Sequence, residues 1–529
     1  MADWDYIIVG AGSAGCILAE RLSNDPKKRV LLLEAGLPDR NPLIHMPRGA
    51  ALLYGSPKHA WHFSTEASGN VPSEVWIRGK GLGGSSSING MMYFRGQPQD
   101  YDGWQALGCR GWGWPDMARA FRAIERHELG PDNIRGTSGP VGISVERIRN
   151  PFTEAFIEAG EQMGLPRVED INQPEQEGVG YATSTTWNGK RQSTAQTFLK
   201  QAKGRANLKV MTSVLVDRVL FESQRAVGVR ALVGGMPQEL RTQGEVIVSA
   251  GGLMSPQILQ RSGIGDGELL RELDIAVARH SPGVGMHLLE HRLLWSRFDI
   301  NVPHSQNLHL AGWRLAANTL RYYLTRSGPL SAAYGNVCAF ARVLPDSVTP
   351  DAEILLSPVT TTQDANGNHV LDNRHSVQIF GYPLRSRSEG SLRITAADPA
   401  APPRIRPGYL TDPYDCAVTV AMHRYIRRWM EQSAIAPFVE GEKEPGRSLQ
   451  SDEDILDAYR RQGQAGLHAC GACRMGDFPD AVLDEQLNVR GVERLRVVDG
   501  SVMPTMVSCN TNGPIMALAW RAAELILAR

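Results

Sequence analysis

The segment DYIIVGAGSAG, residues 5 to 15, constrains the fold more than any other part of the chain. A short apolar run rich in β-branched residues reads as a buried strand. It breaks directly into Gly10, Gly12 and Gly15, spaced Gly-x-Gly-x-x-Gly. The helix-like CILAERLSNDP follows, then a second strand in RVLLLEAG with Glu34 at its end. Strand, glycine turn, helix and strand make one β-α-β unit, which implies a parallel sheet with a right-handed crossover. Each glycine has a mechanical reason: a tight turn, close approach of backbone to a pyrophosphate, and close packing of helix on strand. The helix N-terminus points free N–H groups at the phosphates. An acidic residue about 20 positions further on suits a ribose with a free 2′-hydroxyl, as in FAD or NAD.

A second glycine-rich block, RGKGLGGSSSINGMMYFRGQPQDYDGW, spans residues 78 to 104. Glycine and serine crowd Gly79 to Ser87, so no regular element is expected there and the backbone amides are available to a ligand. Ile88, Met91, Met92 and Tyr93 follow at once, which argues for burial rather than a loose surface loop. Further on, helix-like PDMARAFRAIERHE and PFTEAFIEAGEQMG precede the strand-like NLKVMTSVLVDRVLFE and RAVGVRALV. GEVIVSAGGLMSPQILQRSGIG reads as strand, turn and a helix capped by Ser255 and Pro256. From about residue 292 to 455 the segments are short and strand-like, with no motif assignable from physics alone. The C-terminal RLRVVDGSVMPTMVSCNTNGPIMALAWRAAELILAR is a strand, a loop and a long amphipathic helix, with Asn512, Gly513 and Pro514 at its start.

At 529 residues the chain exceeds the size of one hydrophobic core, so two or more domains are expected. Its 56 basic and 56 acidic side chains cancel, which excludes electrostatic recruitment of nucleic acid or an anionic membrane by net charge. No apolar stretch approaches the ~18 residues of a membrane span. The N-terminus lacks the basic and apolar regions of a signal peptide. Seven cysteines without framework spacing suit free thiols in a reducing compartment, and the expected location is cytoplasmic.

GLHACGACRMG, residues 466 to 476, combines Cys470 and Cys473 in a Cys-x-x-Cys pair with His468 just upstream. A structural zinc site needs four ligands and there is no second such pair, while a thioredoxin-like dithiol belongs near the start of a small domain. Buried inert thiols are the expectation, no metal is expected, and the histidine is left to be explained.

These segments together resemble the glucose–methanol–choline (GMC) oxidoreductases. The resemblance rests on VGAGSAG with LLEAG, the block from 78 to 104, GGLMSPQILQRSGIG, PGVGMHLLEH, HACGACRMG and VVDGSVMPTMVSCNTNGP, in family order over about 45% of the chain. It implies an α/β fold: a Rossmann-like FAD-binding domain from residues 1–155, 191–291 and 456–529, and a discontinuous substrate domain on a mostly antiparallel sheet from residues 156–190 and 292–455. It implies FAD contacts at Gly10, Gly12, Ser13, Ala14, Gly15, Glu34, Ala35, Trp61, Gly83, Asn89, Gly90, Met91, Met92, Val216, Asp499, Gly500, Thr511 and Asn512. It makes His468 the general base and Asn510 its partner on the substrate oxygen. An imidazole with an ordinary pKa of ~6.5 suits removal of a hydroxyl proton at neutral pH.

The implied reaction is FAD-dependent oxidation of a primary alcohol to an aldehyde. The expected substrate is pyridoxine, giving pyridoxal, with dioxygen reduced to hydrogen peroxide. A choline, aliphatic or aromatic alcohol dehydrogenase with another acceptor is the alternative, and a non-catalytic flavin-binding protein the alternative of another class. Some relatives attach flavin through a histidine in the serine-rich block. Ile88 stands there, so non-covalent FAD is expected. The family's Asn-Leu-x-Asp-His becomes His287-Leu288-Leu289-Glu290-His291, which leaves the role of His287 open.

Overall fold

Val30–Leu33 is buried at every position, which explains its unbroken apolar sequence: a strand covered on both faces does not alternate. It pairs in parallel with Trp4–Val9, Val9 lying beside Leu33, and the helix Ser13–Leu22 joins the two. The computed structural model describes residues 4–302, 305–363, 369–372 and 374–528.

This unit is the centre of a seven-stranded sheet in the order Leu208–Met211, Val30–Leu33, Trp4–Val9, Met236–Val248, Arg225–Val233, Val214–Glu222, with Leu495–Val497 added in parallel to the end of Met236–Val248. The long strand Met236–Val248 serves two roles. Its first half closes an antiparallel meander with Arg225–Val233, and its second half runs parallel to Trp4–Val9.

A second seven-stranded sheet is antiparallel throughout: Val439–Glu444, Arg292–Ile300, Ser376–Pro383, Ala352–Ser357, Val337–Ala341, Gly178–Tyr181, with Gln464–Ala465 also pairing with Arg292–Ile300. Helices Pro151–Gln162 and Pro413–Met430 pack on it, and Phe156 stacks on Trp429 at 4.9 Å between ring centres. Across the strands Phe380 pairs with Trp295 on one side and Leu355 on the other. The two-residue period of a strand sends Leu293 and Tyr382 to the same face. One face of this sheet thus carries a row of aromatic and aliphatic side chains.

Three local expectations are corrected. The stretch from about 292 to 455, expected to be short and strand-like, also carries the 18-residue helix Pro413–Met430 and the 14-residue helix Gly312–Thr325. The helix expected from Ser255 begins one residue earlier, Met254–Arg261, so Ser255 is inside it and caps nothing. Its hydroxyl instead donates to Asp499 at 2.5 Å and accepts the Ala250 N–H at 3.0 Å. The helix in PDMARAFRAIERHE stops at Ile124, and Glu125 enters a strand. Glu125 is fully buried, held by Arg95 through Nε at 2.7 Å and Nη2 at 2.5 Å and by the Tyr93 hydroxyl at 2.6 Å. That pairing, not helix propensity, decides where its backbone goes. Among the described residues no helix is long and apolar enough to cross a membrane.

Candidate active site

A cavity of about 460 Å³ runs from the carboxyl ends of Trp4–Val9 and Val30–Leu33 to the aromatic face of the second sheet. Ligands of open α/β sheets bind at those strand ends. Its floor at this end is largely backbone. A β-carbon on Gly84 would come within 2.7 Å of the Gly12 α-carbon, so the two glycine-rich blocks touch back to back. A β-carbon on Gly15 would lie 1.8 Å from the Gly10 carbonyl oxygen, so Gly15 is a packing position beneath the turn rather than part of the lining.

Of the expected cofactor residues, Gly10, Gly12, Ser13, Ala14, Glu34, Ala35, Trp61, Asn89, Gly90, Met91, Met92, Val216, Asp499, Gly500, Thr511 and Asn512 line the cavity. Gly15 and Gly83 do not. Gly83 donates its N–H to the Ala11 carbonyl at 2.7 Å, and its neighbour Gly84 faces the space. Glu34 accepts the N–H groups of Ala11, Gly36 and Gly81 at 2.8 to 3.0 Å and so ties both glycine blocks together. Burial pushes its pKa up, against those three donors. Asp499 uses both oxygens on the N–H groups of Gly251 and Ser501 and the hydroxyls of Ser255 and Ser501.

Two helix N-termini meet here. The Ser13 hydroxyl at the start of the first helix donates to Asn512 Oδ1 at 2.7 Å at the start of the C-terminal helix, Asn512–Leu527. Both present the positive end of a helix dipole to the cavity, an arrangement suited to a pyrophosphate and to an electron-rich ring. A bare backbone floor, an acidic residue at the second strand and paired helix starts fit a dinucleotide.

At the other end His468 and Asn510 are in contact, Asn510 Nδ2 lying 3.0 Å from His468 Nε2. Behind His468 stands His291, with 2.8 Å between the two Nδ1 atoms, and behind that the Leu384 carbonyl, 3.0 Å from His291 Nε2. This chain fixes the tautomers. A carbonyl only accepts, so His291 carries its proton on Nε2 and has its lone pair on Nδ1. His468 must then donate from Nδ1, which leaves the Nε2 lone pair facing the cavity and the Asn510 amide. Burial first, then His291 and the Arg78 guanidinium, hold the His468 pKa well below its usual value. Burial lowers His291 to about 4. Both rings are therefore neutral at neutral pH.

His468 is anchored from its backbone as well: its N–H donates to Glu290 Oε1 at 2.7 Å. Burial raises Glu290 to about 7, opposed by Arg78 and by the N–H groups of His468 and His291. Arg78 lines the cavity, donates to the Leu467 carbonyl at 2.5 Å and lies 3.6 Å from Glu290. Among the described residues the buried Asn510 Oδ1 has no partner, an acceptor open to a bound molecule. The walls are Leu293, Trp295, Tyr334, Leu355, Phe380 and Tyr382. The two cysteines take no part: Cys470 and Cys473 are fully buried free thiols, and burial pushes both pKa values up. Among the described residues no cluster of His, Cys, Asp or Glu could hold a metal.

The GMC oxidoreductase N-terminal family model matches residues 4–293, and the C-terminal model matches residues 386–519. The chain belongs to the GMC oxidoreductase family. It is 38% identical to the mitochondrial choline dehydrogenase of Homo sapiens over 99% of this chain and 90% of that one. It is 37% identical to an alcohol dehydrogenase [acceptor] of Pseudomonas putida, covering 99% and 96%. Pyridoxine 4-oxidase from Mesorbium loti superposes with a TM-score of 0.90 at 29% identity, each chain covered in full. GMC oxidoreductases bind FAD and act on CH–OH donors, and the architecture described above is the GMC fold.

Within this GMC frame, sequence reasoning missed His291, Glu290, Arg78 and the aromatic wall. The first two were visible as the end of PGVGMHLLEH, where two charged or titratable residues in an apolar run ask for buried partners. The wall had no such signal, because it comes from three strands and, at Tyr334, a loop, which are separate stretches of the chain.

Proposed function

We propose that this GMC oxidoreductase oxidises a neutral primary alcohol on an aromatic ring, such as pyridoxine, to the aldehyde, with dioxygen reduced to hydrogen peroxide. The observation that carries this reading is the His468 Nε2 lone pair, fixed by the His291 and Leu384 chain and aimed into an apolar pocket beside Asn510. Bound in the cavity on the residues named above, FAD supplies the two-electron acceptor for the hydride that leaves the carbinol carbon. His468 Nε2 takes the hydroxyl proton as that carbon becomes a carbonyl. Asn510 orients the substrate oxygen. His468 Nδ1–H keeps its bond to His291 throughout, so the imidazolium forms without a change of ring position, and its low pKa then favours release of the proton. The aromatic walls exclude water from these steps.

The choice of a neutral alcohol rests on charge. Arg78 is the one Lys or Arg among the described residues lining the cavity, and the carboxylates of that lining, Glu34 and Asp499, are bonded to protein amides and hydroxyls. A second reading, choline, is supported by the rings of Trp295, Tyr334 and Phe380, which lie 4.5 to 6.1 Å apart and form the kind of surface that binds a quaternary ammonium. Anaerobic bleaching of the flavin by pyridoxine, benzyl alcohol, hydroxymethylfurfural and choline, with kcat/KM by peroxide release and by dye reduction in parallel, separates the two. A choline kcat/KM above those of the aromatic alcohols overturns the first reading. His468→Ala should stay yellow and lose about 10²- to 10⁴-fold in kcat. Near-normal turnover in that variant removes the mechanism.

A further inference from the structure

Gly312–Thr325 is a helix built with its apolar stripe outward. Of its 14 residues Tyr322 alone is buried, packed with Met46 and Leu330. Trp313, Leu320 and Leu324 are 77%, 61% and 74% exposed. At about 100° per residue these three fall within about 40° of one another, opposite Tyr322. Most helical stability in proteins comes from covering an apolar face, and among the described residues nothing covers this one. Arg314 and Arg321 lie on one flank of the stripe, exposed Tyr323 on the other, and Arg326 follows at the helix end. Among the described residues none of these three arginines has an acidic partner. The sequence contains no Asp or Glu between Asp299 and Asp346.

We propose that this helix docks the protein on the surface of an anionic phospholipid membrane, lying in the interface with Trp313, Leu320 and Leu324 inserted and the arginines on the headgroups. A cationic helix with a Trp- and Leu-bearing stripe is the pattern of such in-plane helices, and aromatic residues favour that depth. A second copy of this chain is the poorer occupant, because an antiparallel two-fold contact through the stripe would bring like-charged arginines together. The location also has a use. The Tyr322 hydroxyl donates to the His45 carbonyl at 3.4 Å, the Arg48 N–H to the Leu330 carbonyl at 3.3 Å, and that same segment runs on to Tyr54, which lines the cavity. Docking would place the cavity's rim at a membrane.

The test is flotation of the holoenzyme with phosphatidylcholine vesicles and with vesicles one third phosphatidylglycerol. Binding to the anionic vesicles should be stronger by roughly 100-fold at low ionic strength and fall with salt. Trp313→Ser with Leu320→Ser and Leu324→Ser should reduce it by about 10-fold or more and leave turnover of a water-soluble alcohol unchanged. Should that variant fail to retain flavin, Trp313→Phe serves: quenching of tryptophan emission by brominated phospholipid should be strong in the parent and weaker in the variant. Equal partition to neutral and anionic vesicles overturns the proposal. So does a parent dimer, seen by sedimentation, that the triple variant dissolves into monomers.

Discussion

The two ends of the cavity are made of different material. The end proposed for the dinucleotide is backbone: glycine-rich turns, helix N-termini and amides gathered by Glu34. The reaction end is side chains drawn from scattered segments, with Trp295, Leu355 and Phe380 on neighbouring strands and His291, His468 and Asn510 in a line of hydrogen bonds. Backbone surfaces demand the absence of a side chain and fail completely when one is added. Side-chain surfaces demand particular atoms and fail by degrees, through rate and pH.

The largest effect should come from adding atoms at the first end. In Gly15→Val the new β-carbon would sit 1.8 Å from the Gly10 carbonyl, a contact that only a shift of the turn can relieve. The parent's flavin should be released into the supernatant on acid precipitation, since Ile88 offers no nucleophile and His468 is the sole histidine, with no cysteine, among the described lining residues. The variant should release almost none, because it should carry none. A variant that folds with a full complement of FAD would show that the glycine turn is not the cofactor's floor.

This contrast explains what could be read in advance. A glycine needed for a close approach stays visible in sequence, since its spacing from strand and helix is local; Gly10, Gly12, Gly15 and Glu34 were legible together for that reason. His468 and Asn510 were legible only through their resemblance to a family, for nothing in HACGACRMG itself says which way an imidazole points. Trp295 and Phe380 are 85 positions apart and become neighbours only by strand register, a property of the whole sheet. Ser255 misled because a serine near a helix start is usually a cap. Here Asp499, from far along the chain, outcompeted the local use of its hydroxyl.

At the reaction end a single lost acceptor should alter rate and titration together. His291→Phe keeps the ring that stacks on Tyr382 at 4.3 Å but removes the Nδ1 that receives the His468 proton. His468 is then free to hold its proton on the wrong nitrogen, and kcat should fall roughly 10- to 100-fold, the scale seen when a partner orienting a functional imidazole is lost. His291 also lowers the His468 pKa, so its removal should raise it. In the parent, the acid limb of kcat/KM should lie below the ordinary histidine value, because protonation disables the base and burial delays protonation to lower pH. In His291→Phe that limb should move toward alkaline pH. A fall in kcat with an unmoved limb would assign His291 to packing alone.

The smallest effect lies behind this end, where His287 stands between two carboxylates. Its Nδ1 is 2.6 Å from Glu389 and its Nε2 2.6 Å from Asp480, which Arg474 also holds at 2.7 Å. The bond to Glu389, with a further contribution from Asp480 and against the cost of burial, raises its pKa. A raised folded-state value means that the protonated ring stabilises the fold fully below the ordinary histidine pKa, and that this contribution disappears as pH climbs through the raised one. His287→Gln cannot take up the proton. Its melting temperature should therefore trail the parent's at about pH 6 and approach it at about pH 9. The difference should stay below about 1 kcal/mol, since the cluster is partly solvated and screened. Turnover should barely change, because His287 approaches the Cys470 loop through its carbonyl, packed against Gly471, and not through its ring. A melting gap that is constant or widens with pH would mean that the ring is neutral there, and that the back of the reaction end is held by shape rather than by charge.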